Sequence, residues 1–291
     1  MDPQDGDMLA RKRLLTRLRS CRTAGGLANW AAATGVDVMI VDPGNDMPSG
    51  GEMDEQGRVR IWINSRLPDG LQLRQAVLML RRVWQDQVLE GFDPARMSLR
   101  DLIFCERILS ADAAGFAVTT LSELGLLGDS SPYLSDLERE DAPRDMYDVA
   151  FASLGTRPDE EGIVKSLRAT FHVWRSDPAR VAFSDYTFAN VIEAHLSQIV
   201  TTQSREGVRL LTSDMPRALC RLIRNTPYLP PGEADRALRA VRGLEIHEVV
   251  AERLKRIRIA MAEMSDNGPV DTGSSPPRLR LIHGGLKNGP V

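Results

Sequence analysis

The sequence predicts an α+β fold that is predominantly α-helical, with a small antiparallel sheet near the N-terminus. Three observations predict it. Apolar residues recur at spacings of three and four along most of the chain, the period of a half-buried helix. Only two short stretches, at 37–42 and 58–64, carry a strand pattern. Strands and helices do not alternate as they do where a parallel sheet is built.

Taken in order, Leu9, Leu14, Leu15 and Leu18 outline a first amphipathic helix, and Ala24 to Ala33 a second, ended by Gly35. Asp37-Val-Met-Ile-Val-Asp42 is a short apolar run between Gly35 and Pro43-Gly44, as expected of a buried strand. Residues 43–57, rich in Gly, Pro, Asp and Asn, read as a long loop. Arg58 to Asn64 alternates cleanly, with Val59, Ile61 and Ile63 on one face, and is expected to run antiparallel to the first strand. Pro68-Asp69-Gly70 turns the chain into the helix on which the reading centres, Leu71–Glu90, whose buried stripe is Leu73, Val77, Leu80, Trp84 and Val88. Ser98, three residues before Asp101, caps the next helix, which runs to about Leu124. Further helices follow at 132–139, 143–154, 159–175 and, with a break, 177–204. A C-terminal block adds helices at 215–224 and from Gly232 to about Met264. Residues 1–205 are therefore read as the main domain, 206–264 as a helical extension and 265–291, poor in apolar residues, as a disordered tail.

Composition narrows the function classes. A chain of 291 residues with 42% hydrophobic and 26% charged residues is an ordinary globular protein, and a net charge of −3 gives no general pull toward nucleic acid. No apolar run approaches the roughly 18 residues of a membrane span. Cys21, Cys105 and Cys220 lie far apart in helical patterns and form no paired framework, which fits a reducing cytoplasm. From Met8 to Val36 there is no acidic residue, so the first helix is locally basic; a solvated helix face is the plain reading, and a docking surface for an acidic partner or nucleic acid the sharper one.

The centring helix sits where zinc peptidases carry a His-Glu-x-x-His motif. That spacing puts two imidazoles on one helix face toward one metal, with the glutamate placed to take a proton from metal-bound water. Here those positions hold Leu78, Met79 and Arg82. Leucine has no donor atom, methionine offers only a thioether, and arginine is a permanent cation. The surrounding residues nonetheless resemble an uncharacterised bacterial family of metallopeptidase-like domains. Leu80-Arg81 and Gln85 stand as in that family's His-Glu-Leu-Arg-His-x-x-Gln core, and Ser110-Ala-Asp-Ala113 as in its Glu-Ala-Asp-Ala segment with Ser110 in the glutamate's place. Phe116, Leu121-Ser-Glu-Leu124 and Trp174-Arg-Ser-Asp-Pro-Ala-Arg180 are also of its type, so that the resemblance spans about residues 10–200. It implies a zincin-like core and a zinc ion, of which neither the ligands nor the catalytic glutamate are present. No catalytic, metal or cofactor residue is therefore assigned. If the fold is kept, Arg82 either pairs with Asp112 or Glu106 on the following helix, with Leu78 and Met79 filling the old metal volume, or extends to solvent.

Elsewhere the chemistry is thin. His247-Glu248 begins a zinc-type motif but Ala251 holds the second histidine position. Glu193 and His195 point to different sides of a helix, His172 lies between Phe171 and Trp174 in an apolar stretch, and His283 falls in the tail. Asp136, Glu138, Glu140 and Asp141 form an acidic cluster without calcium-loop spacing. The leading expectation is a metallopeptidase-like protein without catalysis, acting as a binding or regulatory module through an unknown protein partner. The alternatives are a hydrolase with another site and a helical partner-binding protein.

Overall fold

The computed structural model describes residues 3–42, 49–53, 58–89, 94–156, 158–223 and 225–266. In chain order these form α1 (Pro3–Ser20), α2 (Arg22–Thr34), β1 (Asp37–Val41), β2 (Gly50–Met53), β3 (Val59–Asn64), α3 (Asp69–Val88) and α4 (Leu99–Leu126). There follow α5 (Ser131–Leu137), α6 (Arg144–Leu154), α7 (Glu160–Ser176), α8 (Pro178–Ala194), α9 (Leu196–Glu206), α10 (Asp214–Leu219), α11 (Pro231–Gly243) and α12 (Glu248–Asp266). No helix among the described residues is long and apolar enough to cross a membrane.

The sheet corrects the expected topology. It is mixed, not antiparallel, with strand order β1-β3-β2. β1 and β3 pair in parallel, Val38 opposite Ile61 and Ile40 opposite Ile63, and these four side chains enter the core. The antiparallel neighbour of β3 is β2, which lies inside the segment read as a loop. A parallel pair needs a crossover of a dozen or more residues, and the segment between β1 and β3 supplies that length. Gly50-Gly51 hid the extra strand, because glycine carries no alternation and disfavours strands. Gly50 is required there: a Cβ would stand 2.5 Å from the indole of Trp62, its partner across the pair.

α4 is the true centre. It is 28 residues long, about 42 Å, and is buried almost all round, so α3, α6, α7, α8 and α11 can all pack against it. Ser98 caps it as expected, its hydroxyl accepting from the Asp101 amide at 3.1 Å. α3 packs alongside; Leu73, Val77, Leu80 and Trp84 of its predicted stripe are buried, and Val88 is half-buried at the end. α2 ends on Gly35 in the left-handed region, φ 72°, where its amide reaches the Ala31 carbonyl. α2 has no local N-cap. The buried Glu123 carboxylate of α4 accepts from the Arg22 and Thr23 amides at 2.6 and 3.0 Å instead, an anion placed on the positive end of a helix.

The C-terminal half departs further from the sequence reading. The helix expected over 215–224 stops at Leu219, after which Arg221 bridges back to Pro227. The single helix expected from Gly232 is two, α11 and α12, separated at 244–247. Ser265 and Asp266, placed in the tail by composition, complete α12, and the rest of that expected tail, 267–291, lies outside the described residues. Leu211, Met215, Leu219, Tyr228, Leu229, Leu238 and Val241 belong to the same apolar core as α3 and α4.

Candidate functional site

The α3–α4 seam holds two buried polar arrangements side by side. In the first, Arg82 of α3 lies against Glu106 of α4, its Nη2 donating to both carboxylate oxygens at 2.5 and 2.6 Å. The Ser110 hydroxyl donates to the same carboxylate at 2.6 Å, and the Ser184 hydroxyl on α8 reaches Ser110 at 3.2 Å. Of the two carboxylates expected for Arg82, the structure therefore selects Glu106. Met79 is buried and Leu78 is half-buried against the core, so two apolar side chains stand at these positions of the zinc-type motif.

The second arrangement accounts for Asp112. Arg81, the neighbour of Arg82, is turned about 100° from it around α3 and is fully buried. Its Nε and Nη2 donate to the two Asp112 oxygens at 2.6 and 2.9 Å, a bidentate pair. Gln85 Nε2 adds a bond to Asp112 at 2.5 Å, and the Tyr228 hydroxyl donates to the same carboxylate. Burial and the Asp112 charge push the Tyr228 phenol well above its ordinary value, so it remains a donor. The Arg81 guanidinium is also sandwiched between rings, 3.9 Å from the Trp84 centroid and 3.7 Å from that of Phe116. Its Nη1 makes no hydrogen bond and sits in this aromatic clamp.

A third buried cation repeats the plan. Arg107 of α4 donates to both oxygens of Asp185 on α8, at 2.8 and 2.6 Å. Arg81 and Arg107 each also donate to carbonyls at the end of a helix from the C-terminal block. Arg81 reaches the Leu219 and Arg221 carbonyls at 2.7 and 3.0 Å, closing α10. Arg107 reaches those of Val241, Leu244 and Glu245 at 2.9, 3.1 and 3.1 Å, closing α11. Helix C-termini leave unpaired carbonyls and a partial negative charge, so a buried cation answers both needs.

Chemically, the seam is built to hold charge in place. The residues do not fit a zinc ion: the motif face offers a leucine, a thioether and a guanidinium, and the Glu106 carboxylate facing it is already engaged by that guanidinium. Among the described residues no group of three or more His, Cys, Asp or Glu side chains is placed to hold a metal ion. The histidines lie apart. His247 is exposed just ahead of α12, its Nδ1 accepting from the Val249 amide at 3.3 Å; Glu193 is bound by Arg253; and His195 marks the break between α8 and α9. His283 falls outside the described residues. The three thiols are buried and unpaired, and burial raises each above its ordinary pKa, which makes them poor nucleophiles.

His172 is half-buried, and burial, followed by the charges of Arg175, Arg168 and Arg236, lowers its pKa to about 4. The unfolded chain takes up this proton near pH 6.5. Between about pH 6.5 and 4 the unfolded state therefore binds more protons, and stability falls as the pH drops through that window. Thermal melts at pH 7 and pH 5 should show a smaller loss for His172→Gln than for the parent chain; equal losses refute the assignment.

Arg81–Asp112 and Arg107–Asp185 were missed by sequence reasoning, although a signal existed. Both arginines stand within strongly apolar helical stretches, and a charge there needs a buried partner. Tyr228, remote in sequence and in a Pro-rich turn, gave no such sign.

Neither the curated proteins nor the solved structures contain a significant match. Residues 20–229 match the profile of the family described as "Putative metallopeptidase family (DUF6782)", a span that takes in the α3–α4 seam and reaches Tyr228. The chain belongs to that family.

Proposed function

We propose that this chain is a catalytically silent member of its family, a binding or regulatory module in which an ion pair stands where a zincin-like core would hold its metal. The observation that carries the reading is the Arg82 guanidinium seated on Glu106, with Ser110 bonded to the same carboxylate. A cation needed at that point of the seam is supplied by the protein itself. Leu78 and Met79 supply neither a ligand nor a base on the helix face that would need both. The Arg81–Asp112–Gln85–Tyr228 network beside it holds α3, α4 and the C-terminal block together, so the scaffold is maintained independently of any metal.

Metal analysis of the purified protein tests this directly. Zinc content well below one ion per chain is expected, with no rise in melting temperature on adding excess zinc, since a ligand stabilises only a fold that binds it. One tightly held zinc per chain would sink the proposal.

A further inference from the structure

The C-terminal half of α7 gathers positive charge that the chain leaves unmatched. Arg168, His172 and Arg175 follow one another at four and three residues, so they share one face of the helix over about 10 Å of its length. α11 meets this face through Glu233, whose Oε1 pairs with Arg168 and, at 3.5 Å, with Arg236. His172 feels the charges of Arg175, Arg168 and Arg236 together, so the three guanidinium groups surround its ring. Glu233 is the one carboxylate paired with these cations among the described residues. Three cations therefore face one anion, beside a histidine that burial keeps neutral at pH 7.

Arg175 stands apart from the other arginines of the interior. Arg81, Arg82 and Arg107 each hold a carboxylate, whereas Arg175 has no ion pair among the described residues, and only burial acts on its charge. The carboxylate closest along the chain, Asp177, is taken up by α8. It accepts from the Ala179 and Arg180 amides at 2.8 and 3.3 Å and pairs with the Arg180 guanidinium at 3.1 Å. Arg175 is half-buried, and its Nη1 is shut off from water with no acceptor. An arginine in the last turn does meet the negative end of its own helix, but that leaves the buried donor without an acceptor. Glu233 Oε2 is likewise buried without a donor, so the cluster is incompletely bonded at both ends.

The two surplus positive charges suit a dianion. A single carboxylate would match only one of them. A phosphate group carries close to two charges at neutral pH and three terminal oxygens, which guanidinium forks meet bidentately. The Arg168 and Arg236 side chains are 42% and 66% exposed, so the cluster opens to solvent. We propose that Arg168, His172, Arg175 and Arg236 form a binding site for a phosphate dianion, free or as the terminal group of a small phosphomonoester.

Calorimetric titration of the full chain at constant ionic strength with inorganic phosphate, glycerol phosphate and succinate tests it. Saturable binding of one phosphate or glycerol phosphate per chain is expected, the tighter of the two naming the source. Succinate, a dianion without the phosphate geometry, is expected to bind at least about tenfold more weakly, the worth of one hydrogen bond to a charged group. Arg175→Gln is expected to weaken phosphate binding by a similar factor, while its melting temperature in phosphate-free buffer stays at or above that of the parent, because the cation removed has no partner. Arg236→Gln, at an exposed position, is expected to weaken binding and to fold whatever Arg175 contributes to α7. Phosphate affinity unchanged in either variant overturns the site. So does succinate held as tightly as phosphate, or no saturable phosphate binding at millimolar concentration.

Discussion

Asp112→Ala is expected to cost about 3–5 kcal/mol of folding stability, because removing one partner of a buried ion pair leaves the other charge uncompensated. Asp112 accepts two bonds from Arg81, one from Gln85 and one from Tyr228, and none of the donors has a route to water while the fold is closed. Arg81 would keep its aromatic clamp and the Leu219 and Arg221 carbonyls, which cannot neutralise it. Urea unfolding measures the effect as a lowered midpoint. Replacing the pair together, as Arg81→Met with Asp112→Leu, should lose less than the single change, since no lone charge then remains. A single-variant loss below about 1 kcal/mol, the range of an exposed pair, would mean that the network is not closed in solution.

Removing residues 206–291 is expected to abolish cooperative folding of the remainder. The truncation takes away the helix ends that Arg81 and Arg107 close, leaving five hydrogen bonds from two buried guanidinium groups unmade. A bond to a charged group contributes about 1.5–3 kcal/mol, so the loss is comparable to the whole stability of an ordinary domain, about 5–15 kcal/mol. It also uncovers the core faces that meet Leu211, Met215, Leu219, Leu238 and Val241. Soluble yield and near-ultraviolet circular dichroism of fragment 1–205 check the expectation. A soluble fragment with a sharp thermal transition contradicts it and makes the C-terminal block a separable extension.

The two experiments bear on different parts of what could be read in advance. Most helices of the first two hundred residues were legible because they bury one stripe, and a stripe is a local pattern. Ser98 and Gly35 were legible as helix ends because their caps are made within four residues. The cap of α2 was not, since it comes from Glu123, a hundred residues on. The same distinction explains the sheet. Alternation marked β3, but a strand opening with two glycines carries no alternation, and without it the direction of β1 against β3 could not be decided.

For the candidate site, the sequence alone determined what the α3 face lacks. Leu78, Met79 and Arg82 cannot be a histidine, a base and a histidine in any fold, because donor chemistry is a property of the residue. It left Arg82 either to pair with Asp112 or Glu106 or to extend to solvent. Tertiary structure decided between them: adjacent residues on a helix diverge by about 100°, so Arg82 meets Glu106 while Arg81 turns to Asp112. Tertiary structure alone supplied the carbonyls of α10 and α11 that complete Arg81 and Arg107, and it moved the centre of the molecule from α3 to α4. A helix buried all round shows no stripe to mark it as central, and the ends of distant helices reach a buried charge only after the chain has folded.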